Sequence, residues 1–154
     1  MQYALFDTVI RAGKTSPHAP GRPQMAIRPE LGPIQVVTNG LMTASITSLV
    51  TLIPKISMLS YSYSWSGTSP AGSIAVQVSN DYSIGPTGLV VNAGTWTALY
   101  FEVAGSAASS FSVSGNTGTG FADIYQTGAY AIRTVYNFVS GTGTLQSWLH
   151  GKVS

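Results

Sequence analysis

The chain has 154 residues, of which 44% are hydrophobic and only 8% are charged, and its net charge is +2 at pH 7. Such a length corresponds to one domain with a buried core, and the hydrophobic share excludes a chain that is disordered throughout. The small net charge excludes a nucleic-acid footprint over the whole chain, and the absence of cysteine excludes disulfides, thiol nucleophiles and cysteine-based zinc sites.

Serine, threonine, glycine and asparagine supply most of the polar residues. A hydroxyl-rich surface of low charge suits a protein that works assembled with others or outside the cell, rather than a free cytosolic enzyme. The first residues lack a basic start followed by a long apolar run, and no apolar stretch reaches about 18 residues, so we expect neither a signal peptide nor a transmembrane helix. The lack of cysteine favours synthesis in a reducing cytoplasm.

The first 33 residues are expected to form an extended arm. Residues 2–10 could form a short strand, but residues 11–33 contain five prolines and three glycines, which interrupt helices and central strands. The same stretch holds four of the seven basic residues: Arg11, Lys14, Arg22 and Arg28. We predict an arm at residues 1–33 and a β domain at residues 34–154. The alternative for the arm is a long loop wrapped on its own domain.

The β domain is expected to begin with a hairpin. Residues 34–38 and 41–48 have strand character, and Asn39-Gly40 between them suits a type I′ turn. Pro54 indicates an edge or a bend, because proline cannot donate to a strand ladder.

The clearest pattern lies in residues 57–79. Apolar residues there occupy alternate positions on either side of a turn-rich segment: Leu59, Tyr61, Tyr63, Trp65, Ile74, Val76 and Val78. A period of two is the period of a strand, so we predict two strands joined by a loop. Tyr61 and Tyr63 are expected in the core, and Ser60, Ser62 and Ser64 on the opposite face.

Further strands follow at short intervals, separated by Gly, Asn and Pro turns. Residues 105–120 are small and polar, and we expect a mobile loop there with one short strand inside it. A long hairpin is predicted from residues 129–139 and 144–153, joined by a turn at 140–143. The remaining predicted strands are 89–91, 95–103, 111–113 and 121–125. With no helical periodicity, the pattern predicts an all-β fold, an antiparallel β-sandwich or jelly roll.

No motif in the sequence predicts catalysis. The sequence spacing does not support Asp81 with Glu102 or Asp123 as a catalytic pair of carboxylates in a hydrolase. His150 could act as the base of a catalytic triad only with a nucleophilic serine, and the sequence contains no nucleophile-elbow motif. The two histidines are too far apart in sequence to form a metal motif, which leaves calcium at Asp81 as a minor alternative. We therefore predict a non-enzymatic protein without a catalytic site, metal or cofactor.

Two further sites are predicted from individual side chains rather than from a sequence motif. Trp65, Trp96 and Tyr100, together with Tyr61, Tyr63 and Trp148, could line a glycan-binding platform, because aromatic rings stack on the apolar faces of sugars. The alternative is that these rings belong to the core. Arg133 lies in the middle of a strand and needs a partner if buried, and Asp123 or Glu102 is the predicted one.

Two stretches resemble a known group of proteins. They are YSYSWSGTSPAGSIAVQVSNDY at residues 61–82, followed by GTWT at 94–97, and GAYAIRTVYNFVSGTGTLQSWLHGKVS at 128–154. Together they resemble the small β-sandwich proteins encoded among the structural genes of tailed bacteriophages, namely capsid decoration (cement) proteins and spike or fibre modules. The resemblance implies a virion component, expected to be a homotrimer that binds the major capsid protein or another virion protein.

The leading hypothesis is therefore a capsid decoration protein, made in the host bacterial cytoplasm and located in the virion. Its arm would bridge capsid subunits, with Arg11, Lys14, Arg22 and Arg28 pairing with capsid carboxylates. The alternative is a glycan- or receptor-binding module of a spike or fibre. Neither hypothesis involves nucleic acid or a membrane.

Overall fold

The computed structural model describes residues 30–103, 106–125 and 128–152. These residues form twelve strands and no helix, and the sheets are antiparallel, so the predicted all-β class is confirmed. The predicted strand at residues 2–10 and most of the predicted arm lie outside the described residues. Strand β1 already begins at Glu30, ahead of the predicted start of the domain at Ile34.

Two long strands form the centre of the molecule. Strand β4 (Met58–Ser79) and strand β12 (Ala131–Lys152) each contain 22 residues. They pair antiparallel over their full lengths, from Met58 opposite Lys152 to Ser79 opposite Ala131. The sequence predicted a pair of strands with a loop at each of these places. That interpretation was wrong, because both loops are part of continuous strands.

A shared bend replaces the two predicted loops. The β4–β12 register shifts on both sides of Ser140, and left-handed backbone occurs nearby at Ser69 (φ 47°) and Gly141 (φ 83°). The bend brings the two halves of β4 face to face. Phe111, which pairs with Ile74 on the second half, has its ring centroid 5.1 Å from that of Tyr63 on the first half. The halves therefore form two facing layers.

The other strands extend these layers. In the first layer, β1 (Glu30–Leu41) pairs with β12, and β11 (Thr117–Tyr125) pairs with β4. In the second layer, β2 (Ile46–Thr47) and β3 (Thr51–Leu52) pair with β12, while β7 (Thr97–Ala98) and β10 (Phe111–Val113) pair with β4. Two separate ribbons are β5 (Ser83–Ile84) with β6 (Val90–Asn92) and β8 (Phe101–Val103) with β9 (Ser106–Ala108).

The predicted hairpin at Asn39-Gly40 is also wrong. Asn39 has the expected positive φ of 48°, but β1 continues through it to Leu41 and stays paired with β12. The register shifts between Val37 and Gly40. The Asn-Gly pair therefore makes an irregularity within a strand, because the neighbouring edge of β12 keeps pairing on both sides of it.

Glycines in the predicted mobile loop belong to β11 instead. Gly118 lies opposite Trp65 and Gly120 opposite Tyr63. A Cβ atom added at either glycine would come closer than 3.0 Å to the ring across from it. The missing side chains therefore leave room for the two rings to lie over the neighbouring strand, an arrangement that stabilises glycine within a sheet.

The core lies between the two layers and confirms the predicted inward face of β4. Tyr61 is fully buried and Tyr63 is 7% exposed. Aliphatic residues from both halves of the long strands fill the remaining space: Leu59, Ile74, Val76, Ile132, Leu145 and Leu149.

Three hydroxyl groups are enclosed in this core. The side-chain oxygens of Tyr61, Thr134 and Ser147 are buried, and none makes a hydrogen bond of good geometry. Burial raises the pKa of Tyr61 to about 12, and the nearby Ser147 and Thr134 hydroxyls offset only part of that effect. The neutral phenol is therefore strongly preferred inside the folded protein.

Candidate interaction surfaces

The residues predicted to bind the capsid from the arm, Arg11, Lys14, Arg22 and Arg28, lie outside the described residues. The described part of the chain instead presents two surfaces built from strands: an uncovered apolar ribbon, and the outward face of the first layer. Loop residues around Asp81 and Trp96 form a third group. None of the described residues forms a helix long and apolar enough to span a bilayer.

The first surface is the apolar ribbon, defined as residues 83–92. A tight turn closes it, in which Gly85 N donates to Leu89 O at 2.8 Å and Gly88 has a φ of 78°. Its large apolar side chains are open to solvent: Ile84 is 42% exposed, Leu89 72%, Val90 56% and Val91 74%. Because Val90 and Val91 are adjacent in a strand, they point to opposite sides, so both faces of the ribbon are apolar and uncovered.

The loop that follows the ribbon is anchored by Asp81. Its carboxylate accepts hydrogen bonds from Thr95 N at 2.6 Å, Thr95 Oγ1 at 2.9 Å and Ser79 Oγ at 2.7 Å. These donors lower the pKa of Asp81 to about 2, the backbone N–H of Thr95 contributing most. The carboxylate therefore holds the two ends of the segment from Ser79 to Thr95 together. Among the described residues no group of three or more His, Asp or Glu side chains is arranged to bind a metal ion.

Arg133 has partners other than the predicted Asp123. Its Nε donates to Gln77 Oε1 at 2.9 Å, and its guanidinium lies 4.2 Å from the centroid of the Trp96 ring. The register explains the difference, because Arg133 lies opposite Gln77 in the second layer while Asp123 lies opposite Ser60 in the first. Desolvation lowers the pKa of Arg133 from its usual value, and the ring and the amide compensate for the lost hydration.

Three rings of the predicted glycan platform have different surroundings. Trp65 is half-buried and stacks on Tyr63 at 5.9 Å, with its Nε1 directed at Gly115 O. Trp96 packs against Tyr82 at 5.7 Å and beneath Arg133. Tyr100 is 75% exposed. Trp65 and Trp96 thus belong to different layers and have their own packing partners.

The second surface is the outward face of the first layer, which we call the serine face. The small hydroxyls of Ser60, Ser62 and Ser64 run down its centre on β4. Phe121 on β11 and Trp148 on β12 lie on either side of Ser62. The serine alternation was visible in the sequence, but the two aromatic flanks are separated from it by more than fifty residues and become neighbours only through strand pairing.

His150 also lies on this face. It is half-buried opposite Ser60, and Asp123 is on the other side of the same serine. Lys152 follows at the end of β12 and lines a shallow cavity with them.

The fold and these surfaces define a compact all-β protein whose candidate sites are strand faces and an apolar ribbon. No family model matches the chain, and no curated protein matches it in sequence. One solved structure is similar: the crystal structure of SPBc2 prophage-derived protein YomS, with a TM-score of 0.53 and 15% sequence identity. The alignment covers 82% of this chain and 96% of that chain, so the two proteins share most of the fold.

Proposed function

We propose that the chain is a non-enzymatic structural protein of a tailed-phage particle, and that it decorates and stabilises the capsid shell. It would do so as a homotrimer in contact with the major capsid protein, and it would be made in the host cytoplasm before joining the virion. The single observation that carries this proposal is the apolar ribbon. The fold shared with a prophage-derived protein supports the phage origin.

The ribbon has the properties of a surface that another protein covers in the assembled state. A two-stranded ribbon by itself is at best marginally stable in water, and this one has apolar side chains on both faces. Exposed apolar patches mark sites of protein association. No charged residue occurs between Asp81 and Glu102. Free edges are normally protected by charge, so an uncharged apolar ribbon is suited to pairing with another protein.

The bonding of Asp81 supports a structural use of this region. Its carboxylate is engaged by donors from Ser79 and Thr95, at the base from which the ribbon projects. A ribbon that is fixed at its base loses less conformational freedom on association than a free loop would.

The test is the solution mass of the full-length protein by light scattering, followed by mass spectrometry of purified particles of the phage that encodes it. We expect a trimer, and we expect the double substitution Leu89→Ser, Val91→Ser to shift it to monomer. Leu49→Ser is the matched control, because Leu49 is 85% exposed but lies outside the ribbon. Absence of the chain from purified particles would refute the virion assignment. A monomer that joins particles equally well with and without the double substitution would refute the role of the ribbon.

A further inference from the structure

We propose that the serine face is a binding groove for a neutral oligosaccharide, separate from the apolar ribbon. The inference rests on how four adjacent strands, in the order β11, β4, β12 and β1, align their outward side chains. It goes beyond the decoration role, and it places the glycan site away from Trp96 and Tyr100, while Trp65 borders it at the cavity near Ser64.

The register sets the cross-section of the groove. Phe121, Ser62 and Trp148 form one row across three strands, and Gln35 on β1 lies on the far side of Trp148. Neighbouring strands are about 4.8 Å apart, so the backbone positions of the two aromatic residues are roughly 10 Å apart. Serine between them is short. The row therefore has two raised aromatic sides and a low floor carrying a hydroxyl.

The groove continues with a similar cross-section along β4. Ser60 and Ser64 lie on the same side of the strand as Ser62, and they span about 13 Å. At the Ser60 end is a cavity of about 310 Å³ whose lining includes Met58, Phe121 and His150. At the Ser64 end is a cavity of about 340 Å³ that is lined by Trp65 and by polar residues of three strands: Asn39, Ser64, Ser66, Thr144 and Gln146. Two cavities at opposite ends of this serine column fit an extended ligand better than a single sugar unit.

The chemistry of the groove matches a carbohydrate. Sugars present hydroxyls at their edges and apolar C–H groups on their faces, so they need hydrogen-bonding groups beside aromatic rings. Phe121 is 64% exposed and provides such a ring. At one end, Gln146 Nε2 donates to Asn39 Oδ1 at 2.9 Å, which fixes the orientation of both amides and leaves further donors and acceptors to the groove.

The charges favour a neutral ligand. The charged side chains lining the cavity at the Ser60 end are one of each sign, Asp123 and Lys152. An anionic polymer would meet the carboxylate, and a cationic peptide would meet the ammonium group. A protein interface is most apolar at its buried centre, but a column of hydroxyls occupies the centre of this face. Neutral hexose or N-acetylhexosamine oligosaccharides meet none of these obstacles.

The experiment uses the full-length protein and a panel of neutral hexose and N-acetylhexosamine oligosaccharides, with sulfated and phosphorylated glycans as a second panel. Binding is followed by saturation-transfer NMR and titration calorimetry. We expect at least one neutral oligosaccharide to bind. Phe121→Ala should weaken it about tenfold or more without lowering the melting temperature, because the ring is largely exposed.

Two variants separate the groove from other aromatic sites. Ser62→Phe fills the floor of the groove and should abolish binding while both flanking rings remain. Tyr100→Ala is the matched control, since Tyr100 is 75% exposed but does not lie on this face, and it should bind like the unmodified protein. The proposal is overturned if no neutral oligosaccharide binds at concentrations up to about 10 mM. It is also overturned if only anionic glycans bind, or if Tyr100→Ala weakens binding as much as Phe121→Ala does.

Discussion

Removing the buried hydroxyl of Tyr61 is expected to change how the protein responds to alkaline pH. Tyr61 is fully buried, and its pKa is raised from 10.0 to about 12, chiefly by desolvation. In the unfolded chain the phenol loses its proton near pH 10, whereas the folded protein retains it until about pH 12. The unfolded state therefore binds fewer protons in this window, and the free energy of unfolding falls as pH rises.

The size of the effect follows from the shift. Each pKa unit corresponds to about 1.4 kcal/mol, so the loss amounts to about 1.4 kcal/mol by pH 11 and roughly 3 kcal/mol once the folded form also ionises. Below pH 10 this contribution is fully present. Tyr61→Phe removes the ionisable group but keeps the ring. Its free energy of unfolding at pH 7 should stay within about 1 kcal/mol of the original, because the deleted hydroxyl makes no hydrogen bond of good geometry.

Urea unfolding followed by tryptophan fluorescence between pH 8 and 11 measures this difference. Other groups titrate in the same range, so the informative quantity is the difference between the original protein and Tyr61→Phe at each pH. Tyr100→Phe removes the same atom from an exposed side chain and should follow the original protein. If the original protein and Tyr61→Phe lose stability in parallel from pH 9 to pH 11, the reasoning from burial is wrong.

Two further predictions concern β11 and the Asp81 loop. Gly120→Ala should destabilise the protein by about 1–3 kcal/mol in urea unfolding, because the added methyl group meets the packed ring of Tyr63. Gly128→Ala, where a Cβ meets nothing within 4 Å, is the control, and equal losses for the two would contradict the ring-over-glycine packing. The lowered pKa of Asp81 means that its stabilising contribution is fully present above pH 4 and is lost as pH falls towards about 2. Asp81→Asn should therefore reduce the loss of unfolding free energy between pH 4 and pH 2, measured by urea unfolding. An unchanged loss would contradict the stabilising role of the Asp81 carboxylate.

Alternation along a single strand was enough to predict the inward face of β4. Tyr61 and Tyr63 alternate with serines, and in the structure the aromatics are buried and the serines face outward. The same pattern predicted β10 at its observed bounds, Phe111–Val113. In these cases the determining contact is between one side chain and the core, so the local sequence carries the information.

Alternation did not predict that the chain bends, rather than reverses, within β4 and β12. Residues 66–72 and 139–143 have the composition of a turn, and left-handed backbone is indeed found at Ser69 and Gly141. Whether such a segment reverses the chain or only bends it depends on its pairing partner. Here the two segments lie opposite each other, so each keeps the other extended, and that pairing joins parts of the chain far apart in sequence.

The partners of Arg133 and the aromatic neighbours of the outward serines were missed for a related reason. Arg133 lies beside Gln77 and Trp96, and Phe121 lies beside Ser62, only once the strand register is known. A register shift of one residue would turn every side chain of the strand to the opposite face of the sheet. The amino-acid composition of a strand therefore cannot identify its neighbours.

The pairing of β4 with β12 also makes one step of folding long-range. The pair nearest in sequence, Ser79 with Ala131, closes a loop of roughly fifty residues, at an entropic cost of about 3.5 kcal/mol plus a constant. Closing the far pair first, Met58 with Lys152, would span fewer than a hundred residues and would cost only about 0.5 kcal/mol more. Either first contact is long-range, so closure is slow, with only a small preference for the Ser79 end. Until it is complete, the first half of β4 lacks its β12 partner and its row of Leu59, Tyr61 and Tyr63 is uncovered, a state in which a newly made chain is exposed to aggregation.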